Sequence, residues 1–416
     1  MSTIQHLEAF IEQELNTINR IINKNNSPFL FIDLIRSIDY YAIGEYDNQD
    51  EYNYFIQYGY PYFLQQIYSS NKFTGANLPL YTSTINSLSF CHYHLVYYGK
   101  LRVAQRAIEM AKGNLVKLEQ RTQNDFDVIV TPGSDIQFWD NKSVDEYFRM
   151  MSEYVLKEKI DKINSEEGNI RKLLISQVKP WREHFIKYDS TPEIDDFYFR
   201  TGNIELQRSH LFDDFNEEYT FGGIKYKYFL DIVQSLIGTA LKHIDCCSIL
   251  CQTNKKLKIY NILPLPQIHE EVIDQYSNYL GIDINIVREI MDVLTVSPTN
   301  ISERIKDDKS FSPPFVAIGS RFAIKSMKGC IHSPVQFLHN ALKEKYERDY
   351  MIGLNDREEK FRADLYSLFN DNRFIKINKN IIIKSANTDI DAVIFDQKSK
   401  SLGIFQLNGK INFRQI

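Results

Sequence analysis

The stretch KYKYFLDIVQSLIGTALKHIDCCSILCQ, residues Lys225 to Gln252, decides the fold class of this chain. Its apolar residues lie around much of the circumference of a helix, so the segment is expected to be buried among other elements. Low Gly and Pro counts, 17 and 12 in 416 residues, also favour helix. The sequence therefore predicts a mostly α protein with this helix in its interior.

The first 180 residues also read as helices. From Ile4 onward, apolar side chains recur at helical spacing on one stripe, and the segment Leu101 to Gln120 repeats the pattern. A third helix is predicted after Ser143, since Glu146 stands three residues later in a capping box. FDVIVTPGS, residues 126–134, is the one strand-like run in this region.

The middle of the chain continues with helices. IRKLLISQVKPWREHFIKY is predicted to be a helix that Pro180 bends or ends. Residues 266–296 predict two helices joined at Gly281, and SPPFVAIGSRFAIKS predicts a hairpin near Gly319 and Ser320. This order is that of a winged helix over residues 268–326. DNA reading there is disfavoured, because DINIVREIMDVLT offers one Arg and several acids.

The last segment changes character. DREEKFRADLYSLFND is predicted to be helical, with Phe361, Leu365 and Leu368 on its inner stripe. RFIKINKNIIIK, TDIDAVIFD and LGIFQLN then predict three strands. The fold expected is a helical body followed by a small α/β segment.

Candidate metal ligands lie at the ends of these strands. Asp391 begins the apolar run AVIF, and Gln406 follows LGIF fifteen residues later. Glu358, on the preceding helix, shares a face with Phe361 and Leu365. Oxygen ligands of this kind suit Mg²⁺, and a phosphodiesterase needs such an ion together with a cation near the attacking water.

These residues resemble the core of the PD-(D/E)XK, or restriction-endonuclease-like, nuclease superfamily over about residues 355–410. The resemblance implies a partial restriction-endonuclease-like core and Mg²⁺- or Mn²⁺-dependent hydrolysis of phosphodiesters. Asp391 would be the principal metal ligand, Gln406 the second and Glu358 an auxiliary acid. Three domains are expected: a helical domain at 1–180, a middle helical domain at 181–345 with the winged-helix-like part, and a partial nuclease-like segment at 350–416.

Two features depart from the family pattern. Asn408 stands where the family has Lys, and a neutral amide cannot place a positive charge beside the scissile phosphate. Lys410, two residues later, is expected on the same strand face if the strand continues, about 7 Å further along. The family core continues with a helix and a strand, whereas only GKINFRQI follows here, so the core is expected to be incomplete.

Charge and composition limit the partners. The net charge of −5 disfavours a protein that coats nucleic acid, but residues 371–416 carry 8 Lys and Arg against 4 Asp. The basic end is therefore the better place for a polyanion. No apolar run approaches the roughly 20 residues of a membrane span, and the N-terminus lacks a secretory pattern, so a cytoplasmic protein without a membrane partner is expected.

The remaining motifs do not indicate a metal site or another enzyme class. Cys246, Cys247 and Cys251 are expected to be buried small hydrophobic residues, since no second ligand pair follows them. His92 and His94 are expected in a core or an interface. The sequence contains no Walker A loop, no dinucleotide-binding glycine pattern and no nucleophile elbow, which argues against NTPase, Rossmann dehydrogenase and α/β-hydrolase activities.

Two functions remain open. One is a nuclease-family protein acting on nucleic acid, DNA rather than RNA, whose helical body selects substrate, partner or state, as in prokaryotic anti-phage defence. The other is an inactive or truncated homologue in which Asn408 replaces the catalytic cation. Such a protein would act as an interaction or structural module, with a protein partner or a second copy bound through the helical body.

Overall fold

A computed structural model of the chain defines the fold. The structure describes residues 3–43, 50–69, 81–122, 125–132, 150, 152–210, 215–304, 312–332, 334–377, 381–383 and 388–405. Helices dominate the described chain, as the sequence predicts, and the strands form small sheets of two to four strands. No helix within these ranges is long and apolar enough to cross a bilayer.

Fourteen helices have both ends within the described residues. Their bounds are α1 Thr3–Asn25, α2 Pro28–Ile43, α3 Asp50–Ser69, α4 Ile85–Lys112, α5 Lys157–Gln177, α6 Pro192–His210, α7 Tyr226–Thr253, α8 Ile259–Ile262, α9 His269–Leu280, α10 Ile284–Leu294, α11 Ile301–Arg304, α12 Met327–Ile331, α13 Pro334–Lys345 and α14 Glu347–Ser367. Helix α7 corresponds to the opening stretch of sequence, and most of its residues are buried, as predicted.

Fifteen short strands accompany them. Their bounds are β1 Val116–Thr122, β2 Asp125–Val130, β3 Val178–Trp181, β4 Phe185–Tyr188, β5 Thr220–Phe221, β6 Ile224–Lys225, β7 Leu265–Ile268, β8 Thr295–Val296, β9 Phe315–Ile318, β10 Phe322–Lys325, β11 Phe374–Ile377, β12 Ile381–Ile383, β13 Thr388–Ile390, β14 Ala392–Asp396 and β15 Ser401–Phe405. The sheet orders are β7-β10-β9-β8, β11-β14-β15 and four two-stranded pairs.

The chain divides into two compact units. The first comprises residues 1–211 and 230–341, and the second comprises residues 212–229 and 342–415. In the first unit, α9 and α10 meet at Gly281 and β9 turns into β10 at Gly319, as predicted. Both glycines have positive φ, 66° and 65°, a conformation that side chains with a Cβ rarely adopt.

Close helix crossings organise the first unit. A Cβ on Gly202 of α6 would lie 2.5 Å from the Gln234 carbonyl oxygen of α7. A Cβ on Gly238 of α7 would lie 2.4 Å from the Tyr198 carbonyl oxygen of α6. Only glycine allows the two backbones to approach this closely. The pair therefore fixes where α6 crosses α7.

In the second unit, α14 packs against the antiparallel sheet β11-β14-β15. Tyr366, Ala392 and Ile394 are its buried centre. Partly buried apolar side chains surround them: Leu365, Phe369, Phe374 and Phe405. The predicted helix and the third predicted strand are present as α14 and β15. The first two predicted strands are each split in two, into β11 and β12 and into β13 and β14, and β12 and β13 pair with each other in a separate sheet.

Three predictions are wrong in detail. The helix expected through Gln120 ends at Lys112, and Val116–Thr122 pairs with β2, because strand pairing outweighs the helical periodicity there. The helix before Pro180 ends at Gln177, and the residues after it form the β3-β4 hairpin. That hairpin turns over the three residues Arg182, Glu183 and His184, and Arg182 and Glu183 both have positive φ.

The inner stripe of α14 is the third correction. Leu368 is 76% exposed, whereas Tyr366 is 6% exposed and packs on the sheet. The helix ends at Ser367, so Leu368 is no longer on a helical face. The proposed capping box at Ser143 and Glu146 and the side chain of Phe361 lie outside the described residues.

Candidate functional site

Only some of the predicted site residues lie in the described part of the structure. Asp391 is described and is 6% exposed. Glu358 belongs to α14, but its side chain lies outside the description. Gln406, Asn408 and Lys410 lie outside the described residues altogether. The geometry available is therefore that around Asp391.

Asp391 stands where the chain passes from one sheet to another. β13 pairs with β12 up to Ile390, and β14 pairs with β11 and β15 from Ala392. Asp391 belongs to none of these ladders. Its backbone carbonyl is satisfied instead by the Nε of Arg362, which donates a hydrogen bond at 2.6 Å. A buried carbonyl outside a ladder needs such a donor.

Tyr366, one helical turn after Arg362, fixes the adjoining strand. Its hydroxyl accepts a hydrogen bond from the Val393 amide at 3.2 Å and donates to the Ile377 carbonyl at 2.5 Å. The hydroxyl thereby links the facing residues of β11 and β14, which are paired in register. Arg362 and Tyr366 together hold α14 against the start of the central strand.

Neither Arg362 nor Tyr366 is predicted from the sequence as part of the site. The signal was present in their spacing, because Glu358, Arg362 and Tyr366 follow one another at intervals of four, the spacing of one helix face. Only the packing shows that Arg362 and Tyr366 meet the sheet, at Asp391 and Val393. The guanidinium also places a positive charge beside the backbone of Asp391.

The register of β14 and β15 shows which residues of β15 lie beside Asp391. Phe405, the last described residue of β15, is paired with Ala392. Ala392 directly follows Asp391, and Gln406 directly follows Phe405 in the sequence. Both side chains of the described pair belong to the core under α14. This end of the β14-β15 ladder is therefore held by buried apolar contacts.

Asp391 brings one hard oxygen ligand to this point, the type that Mg²⁺ prefers. Within the described part of the chain, no hydrogen bond donor contacts its carboxylate, so the oxygens are not committed to another described group. The described residues contain no group of three His, Cys, Asp or Glu side chains able to hold a metal. Any further protein ligand would have to come from residues such as Gln406 or Glu358.

The other predicted clusters are buried structural groups. Cys246 and Cys247 are fully buried free thiols, as expected, whereas Cys251 is a free thiol that is only partly buried. His94 is 7% exposed and its Nδ1 contacts the Phe90 carbonyl at 2.8 Å, and His92 stacks on Tyr41 at 3.8 Å. These contacts place both histidines in the packing of the helices.

No protein-family model, curated protein or solved structure matches this chain. What the site around Asp391 can do therefore follows from its own residues and geometry.

Proposed function

We propose that this protein acts on nucleic acid, DNA in preference to RNA, and that residues 350–416 carry a phosphodiester-hydrolysing site of the PD-(D/E)XK kind. One observation carries the proposal. Helix α14 is followed by the antiparallel sheet β11-β14-β15, with the β12-β13 pair inserted between its first two strands, and a buried Asp391 stands at the entry to the central strand. This is the order of elements in the first half of that nuclease core.

The ligand set follows from the register. If the β14-β15 pairing continues by one residue, position 406 lies opposite position 391, and cross-strand partners have Cβ atoms about 5 Å apart. Asp391 and Gln406 would then hold Mg²⁺ or Mn²⁺, with Glu358 as an auxiliary acid. The bound ion supplies Lewis acidity and a water of lowered pKa. The helix row of Arg362 and Tyr366 keeps Asp391 in place.

In this proposal, Arg362 is a candidate to replace the lysine that the family motif has at position 408. Asn408 carries no charge, and Lys410 is further along the chain. The guanidinium of Arg362 is beside the Asp391 backbone, so α14 supplies a cation at the end of the strand where the family pattern expects one. In this proposal Arg362 or Lys410 balances the charge of the phosphate.

Cleavage assays on the whole chain test the proposal. Single- and double-stranded DNA and RNA are incubated with Mg²⁺, with Mn²⁺ and with EDTA. Asp391→Asn is expected to abolish cleavage, whereas Asp364→Asn, the same change at an exposed position of α14, is expected to preserve it. Cleavage that survives Asp391→Asn would contradict the site.

A second function is favoured by a specific surface. On the β11-β14-β15 sheet, three large apolar side chains are about half exposed: Ile375, Leu402 and Ile404. Together with Asn408, they suit an inactive nuclease-like module that binds protein, through this sheet or through the helical body. No cleavage of any substrate, with a concentration-dependent mass in light scattering, would favour this alternative.

A further inference from the structure

A cavity of about 630 Å³ lies in the first unit. Helices α6, α7 and α9 and strands β7 and β10 contribute its walls. Its volume is that of sites for small organic molecules. None of the residues discussed around Asp391 lines it, so what it binds is independent of the proposed nuclease site.

A buried lysine marks the cavity. Lys325, the last residue of β10, lines the wall and is 3% exposed. Its Nζ donates a hydrogen bond to the Thr239 hydroxyl of α7 at 2.5 Å. Among the described residues, no carboxylate forms an ion pair with it, and burial lowers the pKa of its ammonium. An ammonium has three donors, so two remain for another group.

The second cation of the cavity is already neutralised. Lys242, one turn after Thr239 on α7, pairs with Asp195 of α6 at 2.6 Å and also contacts the Ser190 hydroxyl at 3.2 Å. The described charges lining the cavity are therefore two ammonium groups and one carboxylate. When both lysines are protonated, the cavity has one excess positive charge, on Lys325.

Aromatic rings and side-chain amides form the rest of the cavity wall. Tyr198 and Phe199 of α6 and Tyr276 and Tyr279 of α9 line it, and the rings of Phe199 and Tyr279 meet edge to face at 6.1 Å. Gln267 and Gln275 add amide groups. Flat rings accept a planar partner by stacking, and amides fix its orientation.

We propose that this cavity binds a small organic anion with a planar body and a single terminal oxyanion group, carboxylate or phosphate, which takes Lys325 as its counter-charge. A buried cation without a partner is costly, and an anion in the cavity removes that cost. The remaining ammonium donors of Lys325 contact the oxyanion, and the tyrosine rings hold the planar body. The Thr239 hydroxyl donates its proton to the Ser235 carbonyl at 2.8 Å and accepts from Lys325, so it positions the ammonium.

Isothermal titration calorimetry of the whole chain tests this with matched probes. Adenosine monophosphate and adenosine form the phosphate pair, and benzoate and benzamide form the carboxylate pair. The charged member of at least one pair is expected to bind about tenfold or more tightly than its neutral analogue. Inorganic phosphate alone shows whether the oxyanion suffices without the ring.

Lys325→Met separates a ligand site from a structural lysine. Met has a similar length without the charge. The variant is therefore expected to bind the charged probe about tenfold or more weakly, and to unfold at the same or a higher temperature than the unsubstituted protein. Lys256→Met, at an exposed position after α7, is the control and should change neither. Binding of neither charged probe below about 1 mM, equal binding of charged and neutral members, or a lower unfolding temperature for Lys325→Met would overturn the proposal.

Discussion

The buried carboxylate of Asp39 accepts a hydrogen bond from the Ser326 hydroxyl at 2.6 Å, across 287 residues of sequence. The same carboxylate accepts from the backbone amides of Met327 and Lys328, both at 3.0 Å. A side chain of α2 thus caps the first turn of α12. Burial raises the pKa of Asp39 to about 6, although these hydrogen bonds oppose the rise.

Removing this carboxylate should destabilise the first unit. Asp39→Ala leaves one hydroxyl and two amides without their acceptor in a buried place, so we expect the free energy of unfolding to fall by about 3 kcal/mol. Urea denaturation measures the loss, and Asp161→Ala, at an exposed position of α5, should change stability by less than about 0.5 kcal/mol. Similar values for the two variants would contradict the capping role.

Two Gly→Ala substitutions should change the free energy of unfolding in opposite directions. Gly202→Ala puts a methyl group 2.5 Å from a backbone oxygen of α7, so α6 must move, and we expect a loss of about 1–3 kcal/mol. Gly168→Ala, on α5, meets no atom within 4 Å and should stabilise the protein by about 0.5–1 kcal/mol. Thermal unfolding of both variants tests the crossing, and a neutral or stabilising Gly202→Ala would refute it.

The buried His243 should make stability depend on pH. Its Nε2 donates to the Ile262 carbonyl at 2.7 Å and its Nδ1 accepts from the Tyr188 hydroxyl at 3.0 Å, so the ring is held neutral. Burial lowers its pKa from 6.5 to about 4. The unfolded chain therefore binds the proton more readily between these values, and stability falls as pH drops through this window.

From pH 7 to pH 5, this difference amounts to about 2 kcal/mol. His243→Gln, which cannot titrate, should show a correspondingly smaller loss over the same range. Asp39 acts in the opposite direction, because its raised pKa favours the folded state at lower pH, but it does so equally in both proteins. Parallel pH profiles of unfolding free energy for the two proteins would exclude His243 as the cause.

Arg362 should matter for catalysis beyond its role in packing. Under the proposed function, Arg362→Met should reduce metal-dependent cleavage by about 10- to 100-fold, whereas Arg362→Lys should recover part of the activity because the charge returns. Arg348→Met, at an exposed position of the same helix, is the control. Equal activity of the Met and Lys variants would contradict a role for the positive charge of Arg362 in cleavage.

The sequence alone determined the elements whose signals are local. The apolar circumference of α7, the glycines at positions 281 and 319, helix α14 and the β-rich character of residues 374–405 could all be read from neighbouring residues. Helical periodicity, positive φ and strand patterning act over a few residues, so they survive without any knowledge of distant partners. Asp391 was identified in the same way, as an acid before an apolar strand.

Tertiary structure alone decided the contacts between distant segments. The strand at Val116–Thr122 exists because β2 pairs with it, and Tyr366 replaces Leu368 on the inner face because the sheet packs there. The hydrogen bond from Arg362 to Asp391 and the cavity of Lys325 also join residues far apart in the chain. These contacts are stabilised because water is excluded between segments that only the folded chain brings together. The spacing of residues along the sequence does not encode this stabilisation.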